Sequence, residues 1–135
     1  YWQSSKEKRD RSTYYLVIRP KDRRTGILKL NITIPKYFDA YISPKKLTLC
    51  KVNLGGMLSR TKCTEKIPAI FEISKDQTKI EVFPESPIST EGSYAVVMKI
   101  FNPSKSGMFQ FNATIQSPGD MPISSYVGSW SIDVE

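Results

Sequence analysis

From Ile27 to Ile34 the chain alternates residue by residue: Leu28, Leu30, Ile32 and Ile34 on one side, Lys29, Asn31 and Thr33 on the other. A period of two over that length belongs to a strand with one buried face, because a helix cannot sort side chains in this way. The pattern returns where Phe109, Phe111, Ala113 and Ile115 alternate with Gln110, Asn112 and Thr114. Further runs rich in branched and aromatic residues fall at 13–19, 47–54, 69–73, 79–83, 94–101 and 126–134. Pro or Gly punctuates the gaps, as at Pro44, Gly55-Gly56, Pro68, Pro84, Gly92, Pro103, Gly107 and Pro118-Gly119. Short strands separated by such turn signals predict an all-β fold, an antiparallel immunoglobulin-like β-sandwich of about eight to nine strands.

The run Tyr94 to Phe101 is apolar on both faces for much of its length, which places it in the middle of a sheet. Together with Met108 to Ile115 it should supply the core. No window has a helical period, although a short helical turn fits at 35–41 or 87–91. A chain of 135 residues suits one domain, which the pattern assigns to residues 13–135. Residues 1–12 are polar, charged and aperiodic, and read as a flexible basic arm. The longest apolar run, Tyr94 to Met98, is far short of the ~20 residues that a transmembrane helix needs.

Cys50 and Cys63 are the only two cysteines, and they bracket Gly55-Gly56. If Gly56 and Met57 form a two-residue type II′ turn, residue 55 pairs with 58, 52 with 61, and Cys50 with Cys63. Alternation then makes the cysteines a non-hydrogen-bonded pair with Cα atoms about 4.5 Å apart, at the short end of what a disulfide accepts. A cross-strand disulfide would stabilise the fold by roughly 3 kcal/mol and suits an oxidising compartment. Two free, buried cysteines in a reducing compartment is the competing reading. The spacing is not that of a Cys-X-X-Cys redox pair.

Histidine is absent altogether. Ser-His and Cys-His nucleophiles are therefore excluded, as are imidazole-based metal sites, and two cysteines cannot complete a thiolate zinc site. The acids do not pair in sequence, and Asp39, Asp120 and Asp133 are too scattered for a calcium loop. The sequence thus offers no catalytic residues, no metal ligands and no cofactor motif, and is read as that of a non-enzyme.

The formal net charge is +7, and much of it is concentrated early: residues 1–24 hold eight basic side chains against three acidic ones. Lys6, Lys8, Arg9, Arg11, Arg19, Lys21, Arg23 and Arg24 are the candidate partner-docking residues, suited to an acidic protein complex or an anionic membrane surface. Nucleic acid is not the expected partner, since acids interrupt both basic runs and no aromatic-glycine string of the RNA-binding kind occurs. Tyr37, Tyr41, Tyr126 and Trp130 are candidates for stacking on carbohydrate, Tyr126 and Trp130 foremost; packing of Trp130 in the core is the competing reading. Asn31-Ile-Thr33 and Asn112-Ala-Thr114 match the glycosylation pattern but lie inside expected strands.

Leu54-Gly-Gly-Met-Leu-Ser-Arg-Thr-Lys-Cys63, Tyr94-Ala-Val-Val-Met-Lys-Ile-Phe-Asn-Pro103, Gly107-Met-Phe-Gln-Phe-Asn112 and the stretch Pro118 to Trp130 resemble a cyanobacterial family of exported proteins known only as a domain of unknown function. The resemblance runs from about Tyr14 to the end in several ungapped blocks. It implies a leader removed during export, residence in the periplasm or thylakoid lumen and no assigned activity, and it carries no catalytic residues. The expectation is a non-enzymatic, exported accessory protein docking on a larger complex, such as a photosynthetic one, or on a membrane surface. A carbohydrate-binding or cell-envelope module is the alternative.

Overall fold

The alternating segments pair into two antiparallel five-stranded sheets in the computed structural model, which describes residues 1–19, 26–53, 62–89, 91–118 and 124–135. Along the chain the strands are β1 Trp2–Gln3, β2 Arg11–Ile18, β3 Lys29–Thr33, β4 Leu47–Asn53, β5 Lys62–Ile67, β6 Ala69–Ile73, β7 Lys79–Pro84, β8 Ser93–Phe101, β9 Gly107–Gln116 and β10 Ser124–Val134. One sheet has the order β1-β2-β8-β4-β5 and the other β10-β9-β3-β7-β6. Packed face to face they form a β-sandwich. Among the described residues the helical element is a single 3₁₀ turn, Pro44–Lys46, and no helix is long and apolar enough to cross a membrane.

Tyr14, Leu16 and Ile18 of β2 and Val96, Met98 and Ile100 of β8 face Phe109, Phe111, Ala113 and Ile115 of β9 across the core. As the two-sided apolar run requires, β8 lies at the centre of its sheet, between β2 and β4. Its outward residues Ala95 and Val97 join Cys50 and Val52 in a second, smaller apolar cluster on the outer face, flanked by Tyr15 and Val17. The crossover from β3 to β4 sends Phe38 into the sandwich, where its ring meets those of Phe109 and Phe111 edge to face at 5.1 and 4.9 Å. Gln77, in the left-handed region at φ 62°, braces the same crossover: its Oε1 accepts from Ile42 N and its Nε2 donates to Ile42 O.

Three details differ from the sequence expectation. The alternation of β3 breaks at Leu28, which is exposed, while Ile27 is buried, because Ile27 leaves the sheet to bond Ile88 in both directions at 3.0 and 2.9 Å. β1 lies in a stretch read as arm. The Cys50–Cys63 disulfide is present, with Cα atoms 5.7 Å apart, but in another register: Val52 stands opposite Cys63, and Cys50 opposite Lys66. A bulge between Lys51 and Val52 puts an extra residue on the β5 side, so the bridge spans a diagonal pair. The turn expected at Gly56 and Met57 lies outside the described residues.

Phe111 is fully buried and buttressed by Phe38, so no neighbour can swing in to fill its space. Phe111→Ala should cost about 3–5 kcal/mol, read as a lower urea midpoint at unchanged slope. A loss below about 1 kcal/mol would show that the aromatic cluster is not the keystone of the sandwich.

Candidate partner-docking surface

Where β8 ends and β2 begins, two short polar side chains are buried in an otherwise apolar sandwich. Asn102 is only 4% exposed, and Ser12 is buried beside it. Such groups are tolerated inside a fold only when each finds its partners, and here the partners are the first residues of the chain. Asn102 Nδ2 donates to the carbonyls of Ser5 at 3.0 Å and Glu7 at 2.8 Å, while its Oδ1 accepts from the Tyr14 hydroxyl. Ser12 Oγ donates to Ser5 O at 3.0 Å and accepts from Ser5 N at 3.2 Å. Gln3 Nε2 reaches both the Tyr14 hydroxyl at 3.1 Å and Asp133 O at 3.0 Å. Burial, reinforced by neighbouring Tyr1, pushes the Tyr14 phenol well above its ordinary value, so it stays a hydrogen donor to Asn102.

The backbone completes this clamp. Arg9 N donates to Pro103 O at 3.2 Å, Asn102 N to Asp10 O at 2.8 Å, and Glu135 N to Lys6 O at 2.7 Å. Of residues 1–12, expected from their polarity to hang as a flexible arm, Arg11 and Ser12 instead open β2, and residues 1–10 are tied to both sheets. Hydropathy does not register a segment held through its backbone carbonyls, which is why the expectation differed.

The clamp also fixes charge. Arg9 takes a left-handed conformation at φ 58°, which a residue with a Cβ adopts at a cost of roughly 1–2 kcal/mol. Arg11 opens β2 on the outer face, opposite Phe101 of β8, with its guanidinium 5.4 Å from the ring centroid. In the next outward row Thr13 pairs with Lys99, and Lys46 directly precedes Leu47, the partner of Met98. Arg11, Lys46 and Lys99 line one cleft of about 630 Å³ with Thr13, Tyr41 and Phe101; Tyr41 is 73% and Phe101 60% exposed.

Among the described residues Arg11, Lys46 and Lys99 form no ion pair, whereas Lys6 pairs with Asp133 at 3.8 Å. The other nearby aspartates are already engaged. Asp10 accepts from Ser5 Oγ at 2.7 Å, and hydrogen bonds from the Ser104 hydroxyl and amide hold the Asp39 carboxyl below its ordinary value.

Of the basic residues singled out in the sequence, Lys6, Lys8, Arg9 and Arg11 therefore gather at one end of the sandwich. Arg19 does not join them: it follows the far end of β2, about 26 Å away at the usual rise per residue. Lys21, Arg23 and Arg24 lie outside the described residues. Lys46, Lys99 and Phe101 were missed in the sequence. For Lys99 and Phe101 the signal was there in the alternation of β8, whose outward positions run Ala95, Val97, Lys99, Phe101 and pass from buried to exposed.

Tyr126 and Trp130 part company. Tyr126 is 65% exposed on the outer face of the second sheet, its hydroxyl 2.5 Å from Ser129 Oγ, which in turn donates to Asn112 Oδ1 at 2.6 Å. Trp130 is 7% exposed, packs in the core and donates its Nε1–H to Val17 O at 3.1 Å. Its ring offers no platform for a sugar, which corrects the pairing of the two as one stacking site. Among the described residues no group of three or more Cys, Asp or Glu gathers to hold a metal ion.

The strained Arg9 separates fold from binding. Arg9→Gly removes the side chain from a position that favours glycine, so thermal unfolding should show a change within about 1 kcal/mol of zero or a gain. A loss well beyond that would mean that the Arg9 side chain serves the fold itself.

Two solved structures align with most of the chain. The collagen-binding domain from a Staphylococcus aureus adhesin is 13% identical over 93% of this chain and 87% of its own, with a TM-score of 0.48. The keratin 4 binding domain of the surface adhesin Srr-1 of S. agalactiae is 19% identical over 94% of this chain and 84% of its own, with a TM-score of 0.47. A search of curated proteins finds no match. A family model spans almost the whole sequence, residues 1–134, and the chain belongs to that family, described as a protein of unknown function (DUF2808).

Proposed function

We propose that this protein is a non-enzymatic, exported binding module that docks on a larger protein complex or an anionic membrane surface through the basic end of the sandwich. The observation that carries the reading is the clamp: a buried polar network ties down the backbone that carries Lys8, Arg9 and Arg11, and Arg11 lines one cleft with Lys46 and Lys99. Cations presented by an ordered backbone lose less conformational freedom on binding than cations on a tail, so they give a defined docking geometry. Keeping Arg9 in a strained conformation fits a residue retained for what its side chain meets. The disulfide suits an oxidising setting such as the periplasm or thylakoid lumen.

A second reading, a carbohydrate-binding or envelope module, has its own support on the opposite face. The register there puts Asn31, Thr114 and Tyr126 in one row and Thr33, Asn112 and Ser129 in the next. Asn31 Oδ1 is buried with no hydrogen-bond partner among the described residues. An exposed tyrosine beside amides and hydroxyls is the kind of surface on which a sugar ring can rest, although Trp130 is not part of it.

Mild cross-linking in the native source, followed by capture of the chain, tests the first reading. Cross-links from Lys6 or Lys8 to one defined complex, or to lipid, are expected. The double variant Lys8→Glu with Arg9→Glu should lower that association several-fold, and Lys62→Glu with Lys66→Glu on the β5 edge, of equal net charge, should not. Equal losses from both variants, or from neither, would remove the basic end as the docking surface. Recovery of the chain with envelope glycan instead would favour the second reading.

A further inference from the structure

We infer that the cleft between Phe101 and Tyr41 is the seat of an acidic peptide segment of a partner protein, an inference that rests on the docking reading and names the partner's chemistry. The cleft brings three cations together, Arg11, Lys46 and Lys99, and none of them has an ion-pair partner among the described residues. Its volume of about 630 Å³ falls within the usual span for ligand sites. Two largely exposed aromatic rings flank the cations, so the site asks for carboxylates interleaved with apolar groups.

Arg11 supplies the specificity. Its guanidinium lies over the Phe101 ring, 5.4 Å from the centroid, and its N–H fork has no hydrogen-bond partner among the described residues, which leaves it open to bidentate recognition of a carboxylate. Lys99 and Lys46 add point charges in the neighbouring row. An extended peptide places side chains of one face about 6.8 Å apart, which suits alternate acidic residues meeting successive outward rows of a sheet.

The same features disfavour the other anionic surfaces. A bilayer is flat on this scale and meets protruding cations, not a concave cleft. A charged glycan would stack a sugar ring on an aromatic face, and at Phe101 the guanidinium of Arg11 already lies over the ring, 5.4 Å from its centroid. The peptide reading therefore accounts for the cleft, the arginine over the Phe101 ring and the unpaired lysines together.

Fluorescence anisotropy with labelled short peptides alternating Glu with Leu, Phe or Ser tests this on the intact protein, with ¹⁵N chemical shifts locating the contact. Vesicles of phosphatidylglycerol and phosphatidylcholine, and polygalacturonate, are the comparison probes. Saturable binding of at least one Glu-Leu or Glu-Phe peptide is expected, with shifts at Thr13, Lys99 and Phe101. Arg11→Gln and Lys99→Gln should each weaken it about tenfold, and Arg11→Lys should keep only part of the affinity because charge remains without the fork. Lys62→Gln should bind as the parent does, and melting curves of all variants exclude unfolding as the cause.

Binding to vesicles or polygalacturonate but to no peptide overturns the peptide assignment and leaves the docking reading standing. Peptide binding that shifts residues elsewhere, or that Arg11→Gln and Lys99→Gln leave intact, overturns the cleft as its seat. Binding to none of the probes overturns the inference, while the docking reading falls only if cross-linking also finds no complex.

Discussion

The carboxamide of Asn102 is the point on which the arrangement of the binding end depends. A buried amide without partners would cost about 1–3 kcal/mol, so the fold must bring it groups that can bond. Tyr14, from inside the sandwich, takes one side, and the carbonyls of Ser5 and Glu7, from outside, take the other. The satisfaction of this polar group, together with the backbone bonds at Ser4, Lys6, Arg9 and Asp10, sets the path of the first ten residues. That path forces Arg9 into the left-handed region and delivers Arg11 to the start of β2. Charge placement here is a consequence of hydrogen-bond accounting in the interior.

The second constraint is the central position of β8. A strand buried on both faces over Ala95 to Met98 has to emerge somewhere, and it does so at Lys99 and Phe101, beyond the edge of the outer apolar cluster. The 3₁₀ turn before β4 brings Lys46 to the same level, and Phe38 anchors the crossover that carries Tyr41. Arg11, Thr13, Lys99 and Phe101 stand on strands whose other face lies in the core. This gives a surface site the rigidity of the scaffold beneath it.

Much of the fold was legible in the sequence because period-two alternation and turn residues are local signals. The buried face of β9 could be read directly, since Phe109 to Ile115 alternates without interruption, and the central place of β8 followed from its two-sided apolarity. Three things were not legible. Leu28 belongs by pattern to the buried face, but the bridge between Ile27 and Ile88 is a long-range contact that no local period reveals. The cysteines announced their bridge, yet the bulge that sets its register depends on how β4 meets β5. The clamp was hidden because its bonds run through backbone carbonyls and through Asn102, far away in sequence. For the site, the basic character of Lys8, Arg9 and Arg11 could be read, whereas the company of Lys46, Lys99 and Phe101 required strand register. Trp130 shows the converse limit: four residues from Tyr126 in the same strand, it turns inward while Tyr126 turns out, with a register shift between Tyr126 and Gly128.

Amide hydrogen exchange of the free protein bears most directly on whether residues 1–10 are a built surface. If the clamp holds as described, the amides of Ser4, Arg9 and Asn102, each bonded to a backbone carbonyl, exchange orders of magnitude more slowly than in an unstructured peptide. Exchange of Ser4 and Arg9 at peptide rates, with β2 and β8 still protected, would contradict the clamp and return the basic residues to a tail.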